Sequence, residues 1–339
     1  MQAMPSDVRT FPATYSVLSA DALLDELRVG YSPHDLGGSA PASCVPWHLG
    51  TNDTYAAETE DGRGLMLRVA PTGWRTPSDL AWELALVQHL ARKGIAVAEP
   101  VPRADGALFF TLPAPEGPRL AALFGRVPGR EVGPAPEECR LLGEVSARLH
   151  LASAGFQAPA PRFALDLSHL LEEPLAHVGP FLARRPEDLD YVEEVAKEVR
   201  ARVLALAEGL AWGSCHGDLQ GANAFLGEDG TVCLFDFDCG GKGWWAYDLA
   251  VFRWIVERFR WPKGCWDAFL AGYDSHRPLT QAEREAIPWL VQAREIWLAG
   301  MHLAPAASAR WGHARYGDRS LDRFVGALRR WRGERLGLD

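Results

Sequence analysis

The hydrophobic pattern changes character along the chain. Short apolar runs broken by turn residues come first, and longer stretches of helical periodicity follow. Residues 48–58 read as strand, turn and strand around the polar turn Gly50-Thr51-Asn52-Asp53. Asp61-Gly62-Arg63-Gly64 makes a second turn, and 65–69 the next strand. Thr76-Pro77-Ser78-Asp79 fits a capping box with proline at the first helical position. Leu80, Leu84, Val87 and Ala91 then share one face, and Gly94 supplies a stop. Strands are expected around 107–111 and 120–124, followed by a Gly- and Pro-punctuated crossing at Gly125, Pro128, Gly129, Gly133 and Pro134. Beyond it, 136–150 predicts a helix carrying Leu141, Leu142, Val145 and Leu149 on its apolar side. Residues 162–185 predict helices and loops, 187–210 a long helix, and helices dominate from Asp248 to a last, arginine-rich one at 320–336.

Composition narrows the class. A chain of 339 residues is long enough for two lobes with a sizeable core, and 47% hydrophobic with 23% charged residues is ordinary for a folded protein. No run of about 20 apolar residues occurs, so no membrane span is expected. Met1 to Asp7 lack the basic and apolar blocks of a signal peptide, which with six cysteines in no C-x-x-C pair points to a cytoplasmic protein with reduced thiols and no zinc site. The net charge of −9 argues against a nucleic-acid partner.

The chemistry concentrates in one string, His216-Gly217-Asp218-Leu219-Gln220-Gly221-Ala222-Asn223. Thirteen residues on, after the apolar run 231–235, stands Asp236-Phe237-Asp238. Phosphoryl transfer of the kinase type needs a carboxylate to orient the attacking hydroxyl and take its proton, and an amide and a second carboxylate to hold magnesium. Asp218 and Asn223 have the spacing of an H-x-D-x-x-x-x-N catalytic loop, and Asp236 follows at the end of an apolar run. Either fragment alone is also what a capped turn or a strand edge looks like; it is the order and spacing together that point to a phosphotransferase. On an extended segment Asp238 faces the same side as Asp236, which makes it a candidate for substrate contact or a second metal. No Walker A string is present, since Gly241-Lys242-Gly243 lacks its frame.

The string from His216 to Asn223 resembles the catalytic motif of aminoglycoside phosphotransferase and choline kinase relatives, in which glycine replaces the arginine usual in protein kinases. Asp236-Phe237-Asp238 and the segment from Gly243 to Ala250 resemble that superfamily's metal-binding and following helical segment. Type II homoserine kinases and a stress-response protein kinase share the scaffold. The resemblance implies an α/β (α+β) fold of two protein-kinase-like lobes: a small β-rich lobe at 1–124 for the nucleotide, and a mostly helical one at 125–339 for catalysis. It implies ATP and Mg2+ as cofactors, with Asp218 as the base, His216 holding the loop, Asn223 and Asp236 on the metal, and Asp248 bracing the loop. Gly50, Thr51 and Asn52 would approach phosphate oxygens through backbone amides, unless they form only a hairpin turn. Arg68 stands where the family carries a lysine, and Glu83 where that lysine has its partner; arginine is longer and planar, so the grip is not simply transferable. Adenine would be read by backbone groups at Leu123, Phe124 and Gly125.

The acceptor is less constrained. The chain has 13 tryptophans, and Trp244, Trp245, Trp254, Trp261, Trp266, Trp289 and Trp297 are among those that follow the metal motif, where they serve either as core or as a surface for a cation or sugar. Glu295 and Asp274 are candidate anchors for an amine. The leading expectation is a kinase of a small hydroxyl-bearing molecule. The alternatives are a serine/threonine protein kinase of the stress-response type and a nucleotide-binding regulator without catalysis, the latter supported only by Arg68. The sequence leaves the oligomeric state open.

Overall fold

The computed structural model describes residues 11–262, 264–304 and 317–333. The segment Met1 to Asp7 and the last residues of the expected 320–336 helix lie outside the described residues. The chain divides into two compact units.

The first unit contains residues 11–76 and Val101–Leu123. Its helix α1 (Ala20–Gly30) starts at Ser19, whose hydroxyl accepts the Ala22 N–H, and buries Leu23 and Leu27. Five strands follow in the sheet order β1-β2-β3-β5-β4: β1 (Pro41–Leu49), β2 (Asp53–Thr59), β3 (Gly64–Val69), β4 (Phe110–Ala114) and β5 (Gly117–Gly125). Period-2 burial puts Tyr55, Ala57, Leu65, Leu67 and Val69 on the core side with Leu23, Leu27 and Leu112. The fourth strand begins three residues later than the pattern 107–111 suggests, because the short turn before Gly117 fixes the register Phe110↔Ala121 to Ala114↔Gly117.

One ion pair organises this unit. Arg119 on β5 and Asp53 at the start of β2 are both fully buried and meet at 2.7 Å. Arg119 also donates to the Ala70 and Ser16 carbonyls, and Tyr15 donates to Asp53. Each charge thus has a partner and several hydrogen bonds, which is what a buried charge requires.

The second unit contains Pro77–Pro100, Phe124–Ala304 and the described residues from 317. Its helices are α2 (Pro77–Arg92), α3 (Pro136–Ala152), α4 (Glu173–Leu182), α5 (Pro186–Leu206), α6 (Trp245–Arg258), α7 (Cys265–His276), α8 (Gln281–Leu303) and α9 (Asp318–Trp331). Two small sheets lie among them. One is ordered β10-β9-β6, from β6 (Arg130–Glu131), β9 (Ala224–Leu226) and β10 (Val232–Leu234). The other is ordered β7-β11-β8, from β7 (Ala164–Leu165), β8 (Trp212–Cys215) and β11 (Gly241–Trp244). Helix α5 stops at Leu206, short of the expected 210, because Trp212–Cys215 is drawn off to pair antiparallel with β11. Helix α8 is fixed at its start by a complete capping box between Thr280 and Glu283, as the sequence of its first turn allows. Among the described residues no helix is long and apolar enough to cross a membrane, and all six cysteines are free thiols.

Candidate active site

Two loops of the second unit carry the residues singled out in the sequence. Residues 216–223 connect β8 to β9, and 235–240 connect β10 to β11. The first loop is hung on Asp248, in the first turn of α6, whose side chain is fully buried. Its Oδ2 accepts the His216 N–H at 2.7 Å and its Oδ1 the Gly217 N–H at 2.8 Å. His150 Nε2 reaches the same Oδ2 at 2.9 Å, and its Nδ1 meets the Tyr273 hydroxyl at 2.7 Å. Burial alone would raise the Asp248 pKa, but the hydrogen bond and charge of His150, with His216, hold it below the usual carboxylate value. The brace inferred from the sequence is therefore visible as hydrogen bonds.

Gly217 has φ +79°, and a Cβ there would sit 2.0 Å from the Cys239 carbonyl oxygen. An arginine in its place would clash with the second loop, which accounts for glycine where protein kinases carry arginine. His216 is fully buried and lies on Phe237 with ring centroids 4.3 Å apart. Its Nε2 bonds the Phe235 carbonyl at 3.0 Å, and the Asp218 N–H points to its Nδ1 at 3.4 Å. Both ring nitrogens are thus occupied by backbone, and burial lowers the ring's pKa below the usual histidine value, partly offset by Asp248 and Asp218. The ring ties one loop to the other.

Asp218 and Asn223 are brought together. Asn223 Nδ2 gives both its hydrogens to Asp218, one to the backbone oxygen at 2.9 Å and one to Oδ2 at 2.8 Å. Gln220 Nε2 donates to the same Oδ2 at 2.8 Å. The Phe235 N–H in turn bonds the Asn223 carbonyl at 3.0 Å, so the residue before Asp236 is held by both His216 and Asn223.

Asp236 is exposed and left-handed, φ 62° and ψ 62°, an uncommon conformation for a non-glycine residue. The chain then makes a tight turn over 237–239. This overturns the extended reading of the segment: Asp238 does not follow Asp236 onto one side but is 4% exposed while Asp236 faces solvent. The left-handed residue breaks the strand alternation. Arg162 pins the turn by donating to the Asp238 and Gly240 carbonyls.

Sequence reasoning missed Arg294, on the buried side of α8. It pairs with Asp218 Oδ1, donates to the Gly217 carbonyl at 3.3 Å, and lies 4.6 Å from the Trp297 ring. Burial pulls its pKa down, but the charges of Asp218, Tyr247 and Cys239 and a hydrogen bond to Tyr247 together leave it above the ordinary value. The signal for it is the Arg294-Glu295 pair inside the apolar stretch from Leu290 to Trp297. Asp218 therefore has both side-chain oxygens engaged by hydrogen-bond donors.

The expected nucleotide residues are distributed over both units. Gly50, Thr51 and Asn52 form the β1–β2 turn, where the Gly50 N–H bonds the Asn52 carbonyl at 3.0 Å. Arg68 lies on β3 and Leu123 is buried on β5, both in the first unit. Glu83, 1% exposed on α2, belongs to the second unit with Phe124 and Gly125. The Leu123 carbonyl accepts the Val101 N–H at 2.8 Å, and the Gly125 N–H reaches the Glu99 carbonyl at 3.2 Å.

Asp274 pairs with Arg284 and accepts the Leu279 N–H, closing the α7–α8 connection. Trp244 and Trp297 are core, and Trp245, Trp261, Trp266 and Trp289 pack against it. Trp254 donates its indole N–H to Glu295. His150, Cys215 and Asp248 cluster closely enough to suggest a metal. His150 Nε2 and Asp248 are already committed to the brace, the Cys215 thiol donates to the Trp244 carbonyl at 3.4 Å, and burial pushes that thiol's pKa up so that it keeps its proton. Asn223 and Asp236 are the better fit: with both Nδ2 hydrogens given to Asp218, Asn223 offers an amide oxygen, and Asp236 an exposed carboxylate, the hard donors that suit magnesium.

The family model of the phosphotransferase enzyme family matches residues 48–286. An uncharacterised protein of Deinococcus radiodurans is 44% identical over 309 residues, covering 90% of this chain and 88% of its own. A homoserine kinase of Agrobacterium fabrum is 34% identical over 282 residues, covering 80% and 82%. Among solved structures, an amicoumacin kinase in complex with AMP-PNP, Ca2+ and Ami matches with a TM-score of 0.72 at 21% identity, covering 91% of this chain and 92% of that one, and shares the mixed α+β fold. The chain belongs to the phosphotransferase enzyme family and is a kinase.

Proposed function

We propose that the protein transfers the γ-phosphoryl group of ATP, with Mg2+, to a hydroxyl of a small molecule. The observation that carries this reading is the geometry at Asp218: a side chain held in one orientation by Asn223, Gln220 and Arg294. Asp218 orients the acceptor hydroxyl and takes its proton as the bond to phosphorus forms. His216 positions the loop and exchanges no proton. Asn223 and Asp236 would hold the magnesium, which when bound neutralises charge on the phosphates. Gly50, Thr51, Asn52 and Arg68 are assigned to the phosphates, and backbone at Leu123 to Gly125 to the adenine. The nucleotide role falls to residues 1–124 and the chemistry to 125–339. Similarity to a homoserine kinase and an amicoumacin kinase supports a small-molecule acceptor over a protein.

Calorimetry with ATP and Mg2+ separates the roles. Asp218→Asn should bind nucleotide like wild type while turnover falls at least ~100-fold, the scale of a positioned base. Asp236→Ala should lose the magnesium-dependent part of binding. Nucleotide binding that ignores magnesium in wild type would refute the metal assignment.

A further inference from the structure

Helices α6, α8 and α9 line a cavity of about 370 Å3, at the lower end of small-molecule sites. None of Asp218, Asn223 and Asp236 lines it, so it lies apart from the phosphoryl-transfer centre. Gln292 lines it and is 1% exposed, yet neither its amide oxygen nor its amide nitrogen has a hydrogen-bond partner among the described residues. A buried amide left unpaired is costly and uncommon, so Gln292 is short of one donor and one acceptor. Glu295 stands three residues further along α8, hence on the same face, and accepts the Trp254 indole N–H. The Trp331 indole N–H is given to the Pro288 carbonyl at 3.0 Å. Both indoles therefore have their polar atom satisfied and bring ring surface to the lining. Arg258 and Arg330 are exposed and supply guanidinium groups to the same cavity.

This lining sorts ligands by chemistry. Two guanidinium groups suit a phosphate, which they hold through paired N–H donors. A bare anion, however, leaves Gln292 unpaired and sets like charge near Glu295. Gln292 is satisfied by an edge that gives one hydrogen bond and takes one, as a nucleobase edge does. A carboxylate takes ribose hydroxyls, and indole rings suit a flat base. The cavity also has a connection to the chemistry. The Arg294 guanidinium that pairs with Asp218 lies 5.8 Å from the ring of Trp254, whose indole N–H is held by Glu295. A ligand hydroxyl on Glu295 draws on the same carboxylate that fixes this indole.

We propose that this cavity is a second ligand site, that its ligand is a nucleoside monophosphate, and that occupancy reaches Asp218 through Trp254 and Arg294. The base edge pairs with Gln292, the ribose hydroxyls meet Glu295, and the phosphate meets Arg258 and Arg330. Binding there slows turnover, because it loosens the indole beside the guanidinium that orients Asp218.

The test is calorimetry on the full chain with the nucleotide site filled by AMP-PNP and Mg2+. AMP, GMP, CMP and UMP are the probes; ribose 5-phosphate lacks the base, and the parent nucleosides lack the phosphate. At least one monophosphate should bind saturably, tenfold or more tighter than ribose 5-phosphate and than its own nucleoside. Gln292→Leu removes the unpaired amide without changing volume much, so it should raise the melting temperature while weakening that binding tenfold or more. The double variant Arg258→Ala with Arg330→Ala should weaken the monophosphate by tenfold or more and its nucleoside little. In ADP-release assays at saturating ATP, the monophosphate that binds should lower kcat several-fold in wild type and leave the double variant unaffected. Absence of saturable binding by all four monophosphates, equal affinity for the truncated controls, unchanged affinity in both variants, or binding that leaves kcat unaltered overturns the proposal.

Discussion

Asp248→Asn is expected to destabilise the second unit by about 4 kcal/mol, and the figure follows from its hydrogen bonds. The carboxylate accepts from His216 N–H, Gly217 N–H and His150 Nε2, all within 2.9 Å and all buried. The amide keeps one oxygen and turns a nitrogen toward a donor. In its better orientation it retains the two Oδ2 bonds and leaves the Gly217 N–H unpaired, a loss of roughly 2 kcal/mol. The two surviving bonds change from charge-assisted to neutral, about 1 kcal/mol each. Because the folded pKa of Asp248 lies below its ordinary value, the favourable interactions of the charged form outweigh its desolvation, and neutralising it is a net loss. For a unit of this size the melting temperature should fall by roughly 8–16 °C. The sign of the pH dependence follows too. This stability is present above the unfolded carboxylate pKa, near ~4, and lost as pH falls through the lower folded value. Urea unfolding followed by circular dichroism from pH 7 to pH 3 should therefore show the wild-type advantage shrinking at the acid end. A variant within about 2 °C of wild type at pH 7, or an advantage that grows toward pH 3, would refute the reasoning.

Arg294→Met removes a charge-assisted bond to Asp218 and should lower kcat/KM by roughly 10–100-fold, with steady-state kinetics on the acceptor as the check. Arg119→Met strands Asp53 in the first unit and should cost about 3–5 kcal/mol, and the double variant with Asp53→Leu should recover most of it in urea melts. His216 has a folded pKa below its unfolded value near ~6.5. The unfolded chain therefore takes up its proton first, and stability should fall as pH drops from that value toward the folded one. His216→Gln should flatten that slope in the same urea titration.

What was legible in the sequence was local. Asp218 and Asn223 are five residues apart on one loop, and their contact needs only that loop to close. The α2 and α3 helices announce themselves by apolar spacing and by proline at their starts. The partners that hold Asp218 and Asp53 were not legible. Arg294 and Arg119 reach them from 76 and 66 residues away, through packing that no periodicity encodes. The left-handed Asp236 was missed because an alternating Phe-Asp-Phe-Asp run looks like strand, and only the turn held by Arg162 shows otherwise. Strands β8 and β11 are short and contain glycine, so they carry no usable alternation.

The most direct test of the central claim is ADP release from ATP and Mg2+ across hydroxyl-bearing small molecules and a generic protein substrate, with Asp218→Asn as the blank. The account predicts release that requires a small-molecule acceptor and magnesium and that vanishes in the blank. Release that persists unchanged in Asp218→Asn would contradict it.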